Sequence, residues 1–135
     1  MAHKIDQIEG VGAVYAEKLI AAGIKTTEEL LEKCAAKKGR EALAEATGIS
    51  KKLILRWTNH ADLFRIDGIA GQFAELLEAA GVDTVKEFRH RVPENLQPKL
   101  VETNEAKHIC GRVPAVKELE KMIAQAKELE PMVTY

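Results

Sequence analysis

Apolar residues recur at intervals of three and four positions in several short segments of the chain, the spacing of amphipathic helices. Two segments carry matching apolar triplets: Val11, Tyr15 and Leu19, and later Ile69, Phe73 and Leu77. No segment of useful length alternates between apolar and polar residues with a period of two, so no strands are predicted. The pattern therefore predicts an all-α fold made of short helices.

The expected ends of these helices carry local signals. Gly23 and Gly81 each follow an Ala-Ala pair, where glycine can adopt the left-handed conformation that ends a helix. The S/T-x-x-E capping-box pattern then predicts the next helix start in both places, at Thr26 with Glu29 and at Thr84 with Glu87. Each of the two segments is thus expected to form a glycine turn, a helix that ends at a glycine, and a second helix with a capped start.

A third segment is predicted to begin at Gly39 and to stop at Gly48, before a capping serine, Ser50. From Lys51 a longer helix carries the apolar stripe Leu53, Ile54, Trp57, Ala61 and Phe64. Trp57 could stack on a base, but its place in this stripe favours the core. In the second copy, Pro93 and Pro98 are expected to interrupt the corresponding region, residues 100–107 can still be helical, and Pro114 is expected to open the terminal helix.

The chain repeats itself with a shift of 58 residues. Aligning residues 8–31 with residues 66–89 gives ten identities in twenty-four pairs, including both turn glycines Gly10 and Gly68. A self-match of this extent indicates a tandem duplication. We expect one module over residues 1–65 and a second over residues 66–135, packed together without a flexible linker.

Composition limits the function classes. Of 135 residues, 46% are hydrophobic and 30% charged, and the formal net charge is −1, so no global basic balance indicates nucleic acid. Residues 1–65 hold eleven Lys+Arg and nine Asp+Glu, a net of +2, whereas residues 66–135 hold nine and twelve, a net of −3. An anion-binding surface is therefore expected in the first half.

Reactive chemistry has little support in the sequence. The cysteines Cys34 and Cys110 are too few for a disulfide framework and lack C-x-x-C spacing, and His108 beside Cys110 has no further ligands. We therefore predict a non-enzymatic protein with no catalytic residues, no metal and no cofactor. The lack of a signal-like segment or long apolar run predicts a cytoplasmic location and no membrane partner.

Residues 8–19, IEGVGAVYAEKL, resemble the helix-hairpin-helix motif. In such a turn, glycines let the backbone bend sharply and approach a ligand, so positive φ is expected at Gly10, Gly12 or both. Val11 between them, like Ile69 in the second copy, should point into the core. The resemblance implies that the turn amides and the following helix N-terminus hold a DNA phosphate without reading bases.

Almost the whole chain resembles a bacterial family of duplicated helix-hairpin-helix proteins, domain of unknown function 4332. The carrying segments are IEGVGAVYAEKL, KKGREALAEATGIS, ILRW, ADLFRIDGIAG and AAGVDTVKEF. The pattern from Gly10 to Ala61 also resembles the paired helix-hairpin-helix domains of DNA repair and recombination proteins, such as the N-terminal domain of archaeal recombinases. The resemblance implies a fold but carries over no activity.

Departures from a DNA-binding hairpin narrow the candidate site. Glu9 and Asp67 place a carboxylate before each first turn glycine, where it repels phosphate, and Ala70 replaces the second glycine of the second copy. Glu75 and Glu78 add acidity there without an evident cation. The second hairpin is therefore predicted to be structural.

The turn at Gly48 is the preferred phosphate site, because cations flank its capped helix N-terminus. Its residues are Gly48, Ser50, Lys51, Lys52 and Arg56, with Gly10, Gly12 and Lys18 in support. The denser basic run at residues 37–40, KKGR, is interpreted as a solvated loop in preference to a phosphate contact.

The leading functional hypothesis is weak, sequence-nonspecific binding of duplex DNA through the first module. The alternative is a protein–protein adaptor that keeps the fold without binding phosphate. A positive strip between the Gly10 and Gly48 turns would favour DNA, and an exposed apolar patch would favour a protein partner.

Overall fold

The computed structural model describes residues 3–135, and this range contains eight α-helices. They are α1 (Ala13–Ala21), α2 (Thr27–Cys34), α3 (Lys37–Thr47), α4 (Lys51–Leu63), α5 (Gly71–Ala79), α6 (Val85–Phe88), α7 (Pro93–Lys107) and α8 (Val116–Glu128). A 3-10 turn, Ile5–Gln7, precedes α1. No strand occurs in residues 3–135, where an isolated antiparallel bridge joins Lys4 to Thr26. The all-α prediction is confirmed.

The two glycine turns have the same backbone form. Gly10 has a φ of 93° and Gly68 a φ of 89°, a region that side chains with a Cβ rarely adopt. Gly12 instead has a φ of −80° at the N-cap of α1, and Ala70 occupies the same place before α5. Positive φ is therefore required at the first glycine only. Val11 and Ile69 are buried as predicted.

Helix boundaries in the two regions are also 58 residues apart at α1 and α5. Both helices end in a glycine with φ near 90°, Gly23 and Gly81, as predicted. Thr26 and Thr84 then cap α2 and α6 by accepting the amides of Glu29 and Glu87. The correspondence ends there, because α2 runs for eight residues and α6 for four.

The KKGR segment is not a loop, contrary to the sequence-based interpretation. It forms the first turn of α3, which begins at Lys37, so Gly39 lies inside the helix and does not open it. A Cβ on Gly39 would come 1.8 Å from the Lys33 carbonyl oxygen. The lack of a side chain at Gly39 therefore allows α3 to pack closely against the end of α2.

The prolines of the second half are placed differently from the prediction. Pro93 opens α7 as its first residue, but Pro98 lies inside that helix and does not interrupt it. The Glu94 carbonyl, which Pro98 cannot bond, belongs to an exposed residue, so water can replace the missing donor. Pro114 precedes α8, which starts at Val116.

One apolar core runs through both halves of the chain. Trp57 on α4 is fully buried, as its stripe position predicted, and its ring packs edge-on to Tyr15 at 5.1 Å between centroids. Residues of the second half, such as Phe88 and Leu76, belong to the same core. Near the chain's end, the Thr134 amide donates to the Ala35 carbonyl at 2.8 Å. The last residues therefore lie against the α2–α3 junction.

Candidate nucleic-acid interface

A groove between α3 and α4 is lined by four of the eleven Lys and Arg side chains of the first half. This α3–α4 groove has a volume of about 380 Å³. Its lining residues are Lys37, Arg40, Glu41, Lys51, Lys52, Leu55 and Tyr135. Four cationic side chains thus face one carboxylate, which makes the groove suitable for an anion.

Local sequence fixes the helix N-terminus at this groove. Gly48 ends α3 with a φ of 76°, and its amide donates to the Ala44 carbonyl at 2.8 Å. Ser50 then caps α4, because its hydroxyl oxygen accepts the Leu53 amide at 3.2 Å. Neither α3 nor α4 carries an acidic residue in its first turn, so the positive end of each helix dipole is left uncompensated.

The lysines of the groove differ in their partners. Lys51 lies 3.7 Å from the Glu41 carboxylate, but both side chains are well exposed, so the pair is weak and separable. Among residues 3–135, Lys37 and Lys52 form no ion pair within 4.0 Å. These two ammonium groups are available to an incoming anion.

Arg40 supplies charge from below the surface. It is only 5% exposed, and its guanidinium donates to the carbonyls of Cys34 at 2.9 Å, Ala35 at 3.0 Å and Thr134 at 2.6 Å. These bonds satisfy the open carbonyl end of α2 and attach the last residues of the chain. Neutral carbonyls do not cancel the guanidinium charge, so Arg40 keeps the groove floor positive.

Arg56 has a different role from the one its sequence position suggested. Its Nε donates to both carboxylate oxygens of Glu78, at 3.0 and 3.2 Å, and His60 Nε2 lies 3.2 Å from the same carboxylate. Burial raises the pKa of Glu78, but the hydrogen bond and charge of His60 and the Arg56 guanidinium outweigh it, so that pKa is lowered. The charge of Arg56 is largely compensated by α5. Glu78 therefore does have a nearby cation, contrary to the sequence-based expectation.

A second groove of mixed charge adjoins the first along α4 and shares Lys52 and Leu55 with it. Arg56, Asn59, Glu78 and Asp83 are among its lining residues, and its volume is about 370 Å³. Burial and the neighbouring carboxylates of Glu78 and Glu87 raise the pKa of Asp83. Since these acidic groups repel phosphate, the positive surface ends at α4.

The first hairpin lies away from the α3–α4 groove. A Cβ on Gly10 would lie 3.7 Å from Trp57 Nε1, and Trp57 is seven residues beyond Ser50 on α4. At a rise of 1.5 Å per residue, this separates the Gly10 turn from Ser50 by about 10 Å along the helix. Gly12, the N-cap of α1, and Lys18, within α1, are both exposed. The structure thus does not place Gly10, Gly12 or Lys18 in the groove.

The second hairpin is covered by α8. Gln125 accepts the Asp67 amide at 2.9 Å, and a Cβ on Gly68 would meet the Met122 methyl group at 3.0 Å. One of its turn amides is thus already bonded within the chain. Gly71 is also close to the first hairpin, since a Cβ there would lie 2.4 Å from the Gln7 carbonyl oxygen.

Other reactive groups are dispersed. Cys34 is fully buried, and burial raises the pKa of its thiol to about 11. Within residues 3–135, no three His, Cys, Asp or Glu side chains are grouped so as to hold a metal ion. The same residues include no helix with the length and hydropathy needed to cross a bilayer.

Five groove residues were not among the predicted site residues: Lys37, Arg40, Glu41, Leu55 and Tyr135. Lys37 was assigned to a solvated loop, although its position before a helical segment was an available signal. Tyr135 lies 84 residues after Lys51 in the chain, so no local pattern could place it beside α4. Of the predicted residues, Lys51 and Lys52 line the groove, and Gly48 and Ser50 form the helix junction next to it.

Comparison with known proteins identifies a family for this chain. No curated protein and no solved structure matches this chain. A family model described as Domain of unknown function (DUF4332) matches residues 9–129, nearly the whole chain. The chain therefore belongs to the DUF4332 family.

Proposed function

We propose that this protein is a non-enzymatic binder of nucleic-acid backbones, with the α3–α4 groove as its phosphate-binding surface. The supporting observation is the convergence of Lys37, Lys51 and Lys52 on one groove that holds a single carboxylate, Glu41. Phosphate contacts of this kind position a protein without reading bases, so the binding is nonspecific in sequence.

In this proposal the fold is a tandem of two helix-hairpin-helix modules with unequal roles. The first hairpin, at Gly10 and Gly12, offers a secondary contact about 10 Å along α4 from Ser50, with Lys18 exposed on α1. The second hairpin is structural, because Gln125 and Met122 of α8 cover it. Arg56 holds the modules together through Glu78 and contributes little to binding.

Salt dependence tests this proposal. Neutralising three phosphates with three lysines predicts a slope of about −3 for the logarithm of duplex affinity against the logarithm of salt concentration, with a dissociation constant no tighter than about 10⁻⁶ M at physiological salt. Fluorescence anisotropy of a labelled duplex, measured across several salt concentrations, gives both quantities.

Charge reversal locates the surface. The double variant Lys51→Glu with Lys52→Glu should abolish binding for every sequence alike. The matched control is Lys117→Glu with Lys121→Glu, two exposed lysines on α8 in the acidic second half. Equal losses of affinity from both pairs would mean that the binding surface lies elsewhere. A duplex affinity that does not depend on salt concentration, even in low-salt buffer, would refute backbone binding.

A protein–protein adaptor is the second candidate, because α1 exposes two large apolar side chains. Val14 is 66% exposed and Ile20 46%, at positions about 120° apart around the helix that follows the first hairpin. Exposed aliphatic groups on one helix fit a protein partner better than a phosphate backbone. The variant Val14→Asp with Ile20→Asp should abolish such an interaction and leave nucleic-acid affinity unchanged.

A further inference from the structure

Tyr135 places an aromatic ring in the α3–α4 groove while most of its surface remains open to solvent. The residue lines the groove together with Leu55 and Lys52, and it is 68% exposed. Exposed aromatic rings are uncommon in this chain, whose three phenylalanines and single tryptophan are buried. The ring of Tyr135 therefore has surface available to a ligand.

Thr134, the residue before Tyr135, is held by hydrogen bonds at both its backbone amide and its carbonyl. The Thr134 amide donates to the Ala35 carbonyl at 2.8 Å, and the Thr134 carbonyl accepts from Arg40 Nη2 at 2.6 Å. A charged donor makes the second bond stronger than an ordinary hydrogen bond. Anchoring of this kind lowers the entropy that the ring loses when a ligand stacks on it.

The size and polarity of the groove fit a flat ring. Leu55 contributes a half-buried apolar side chain, and the exposed Lys51 and Lys52 line the same groove. A lysine side chain can offer its methylene stem to an apolar surface while its ammonium group stays in water. A volume of about 380 Å³ is at the small end of ligand pockets. Burial and the carboxylates of Asp83 and Asp62 raise the pKa of Tyr135, whose phenol is neutral at pH 7 even at its ordinary pKa of about 10.

We propose that the α3–α4 groove binds an unpaired nucleobase stacked on Tyr135, with the adjoining phosphates at Lys37, Lys51 and Lys52. The substrate class is then single-stranded nucleic acid, bound in preference to duplex. The faces of paired bases are covered by their neighbours in a duplex, whereas a single strand can turn a base toward an aromatic ring. This inference rests on the proposed function and specifies its ligand.

Two substitutions at one position separate stacking from charge. Tyr135→Ala removes the ring and leaves the Thr134 anchor, whereas Tyr135→Phe keeps the ring. With a fluorescein-labelled oligo(dT) as probe, Tyr135→Ala should weaken binding by about tenfold and Tyr135→Phe by much less, as expected for loss of one base–aromatic stack. Duplex affinity should be the same for all three proteins.

The charge variant distinguishes failure of this inference from failure of the proposed function. Lys51→Glu with Lys52→Glu should weaken both oligo(dT) and duplex binding. If the unsubstituted protein binds both probes with salt dependence but Tyr135→Ala leaves oligo(dT) affinity unchanged, stacking is refuted and backbone binding stands. Tighter oligo(dT) binding by Tyr135→Ala would show that the ring obstructs the groove. If neither probe binds at low salt, both proposals fail.

Photocrosslinking provides a direct test of the contact. An oligonucleotide containing 5-iododeoxyuridine crosslinks to an aromatic ring stacked on the base, and mass spectrometry of the digested adduct identifies the residue. Stacking in the groove predicts an adduct at Tyr135. An adduct at Tyr15 instead would place the unpaired base near the first hairpin and overturn the assignment.

Discussion

The Asp62 carboxylate on α4 accepts the backbone amide of Val85 at 2.8 Å, which ties the longest helix of the first half to the start of α6. Its other oxygen accepts from Arg65 Nη1 at 2.8 Å. Asp62 is 1% exposed, and its bond to the Val85 amide is buried, whereas its bond to Arg65 is partly buried. A buried carboxylate at a helix N-terminus combines a hydrogen bond with a favourable dipole interaction.

Asp62→Ala should therefore lower the free energy of unfolding by about 2–3 kcal/mol, because it leaves the buried Val85 amide without an acceptor. Asp62→Asn keeps an acceptor oxygen and should cost less. Urea unfolding followed by circular dichroism measures both variants. If Asp62→Ala costs less than about 0.5 kcal/mol, as an ordinary surface substitution does, the carboxylate's bond to Val85 contributes little to stability.

Gly10 and Gly12 form a matched pair for testing the first turn. Gly10→Ala should destabilise the protein by about 1 kcal/mol or more, because alanine is strained at a φ of 93°. Gly12→Ala should change stability by less than about 0.5 kcal/mol, since φ is −80° and no atom lies within 4 Å of the new Cβ. Thermal unfolding of the two variants decides the order, and a larger cost at Gly12 would contradict it.

Gly39 tests helix packing against helix propensity. Alanine favours a helix interior by about 1 kcal/mol over glycine, so propensity alone predicts that Gly39→Ala stabilises α3. The Cβ would, however, come 1.8 Å from the Lys33 carbonyl oxygen. We expect a net destabilisation of at least about 1–3 kcal/mol, measured by chemical unfolding. Ala42→Gly, at an exposed position of α3, is the control and should cost about 1 kcal/mol through propensity.

The sequence predicted those features of the fold that depend on neighbouring residues. Gly10, Gly23 and Gly48 were assigned correctly because a positive φ requires a residue without a Cβ at that point in the chain. The caps at Thr26 and Ser50 were also predicted correctly, because each capping oxygen lies three residues before the amide that it accepts. Such signals are local and do not depend on the tertiary fold.

Features that depend on distant contacts were missed. Gly39 was interpreted as a helix boundary, but it lies inside α3 at a point where the α2 backbone leaves no room for a Cβ. Arg40 was read as part of a solvated basic run, although it is buried among carbonyls that include one 94 residues away, at Thr134. At the candidate site, the partner of Arg56 was likewise unpredictable, because Glu78 reaches it through helix packing.

Acid should weaken the contact between α4 and α5 through Glu78. Its pKa is lowered in the folded protein because His60 and Arg56 outweigh the opposing effect of burial. A carboxylate with a lowered pKa stabilises the fold fully above its unfolded pKa of about 4.3, and this contribution is lost as pH falls through the folded pKa. Stability should thus decline below about pH 4.5 partly through this residue.

Glu78→Gln isolates that contribution, since glutamine is nearly isosteric and does not titrate. At pH 7 it should lower the free energy of unfolding by about 1–2 kcal/mol, because the neutral amide loses the charge attraction to the Arg56 guanidinium and has one acceptor oxygen in place of two. The difference from the unsubstituted protein should shrink as pH falls below about 4.3, where Glu78 itself becomes neutral. Urea titrations between pH 3 and pH 7 measure this difference. A constant difference across that range would mean that the Glu78 charge does not stabilise the junction of the two halves.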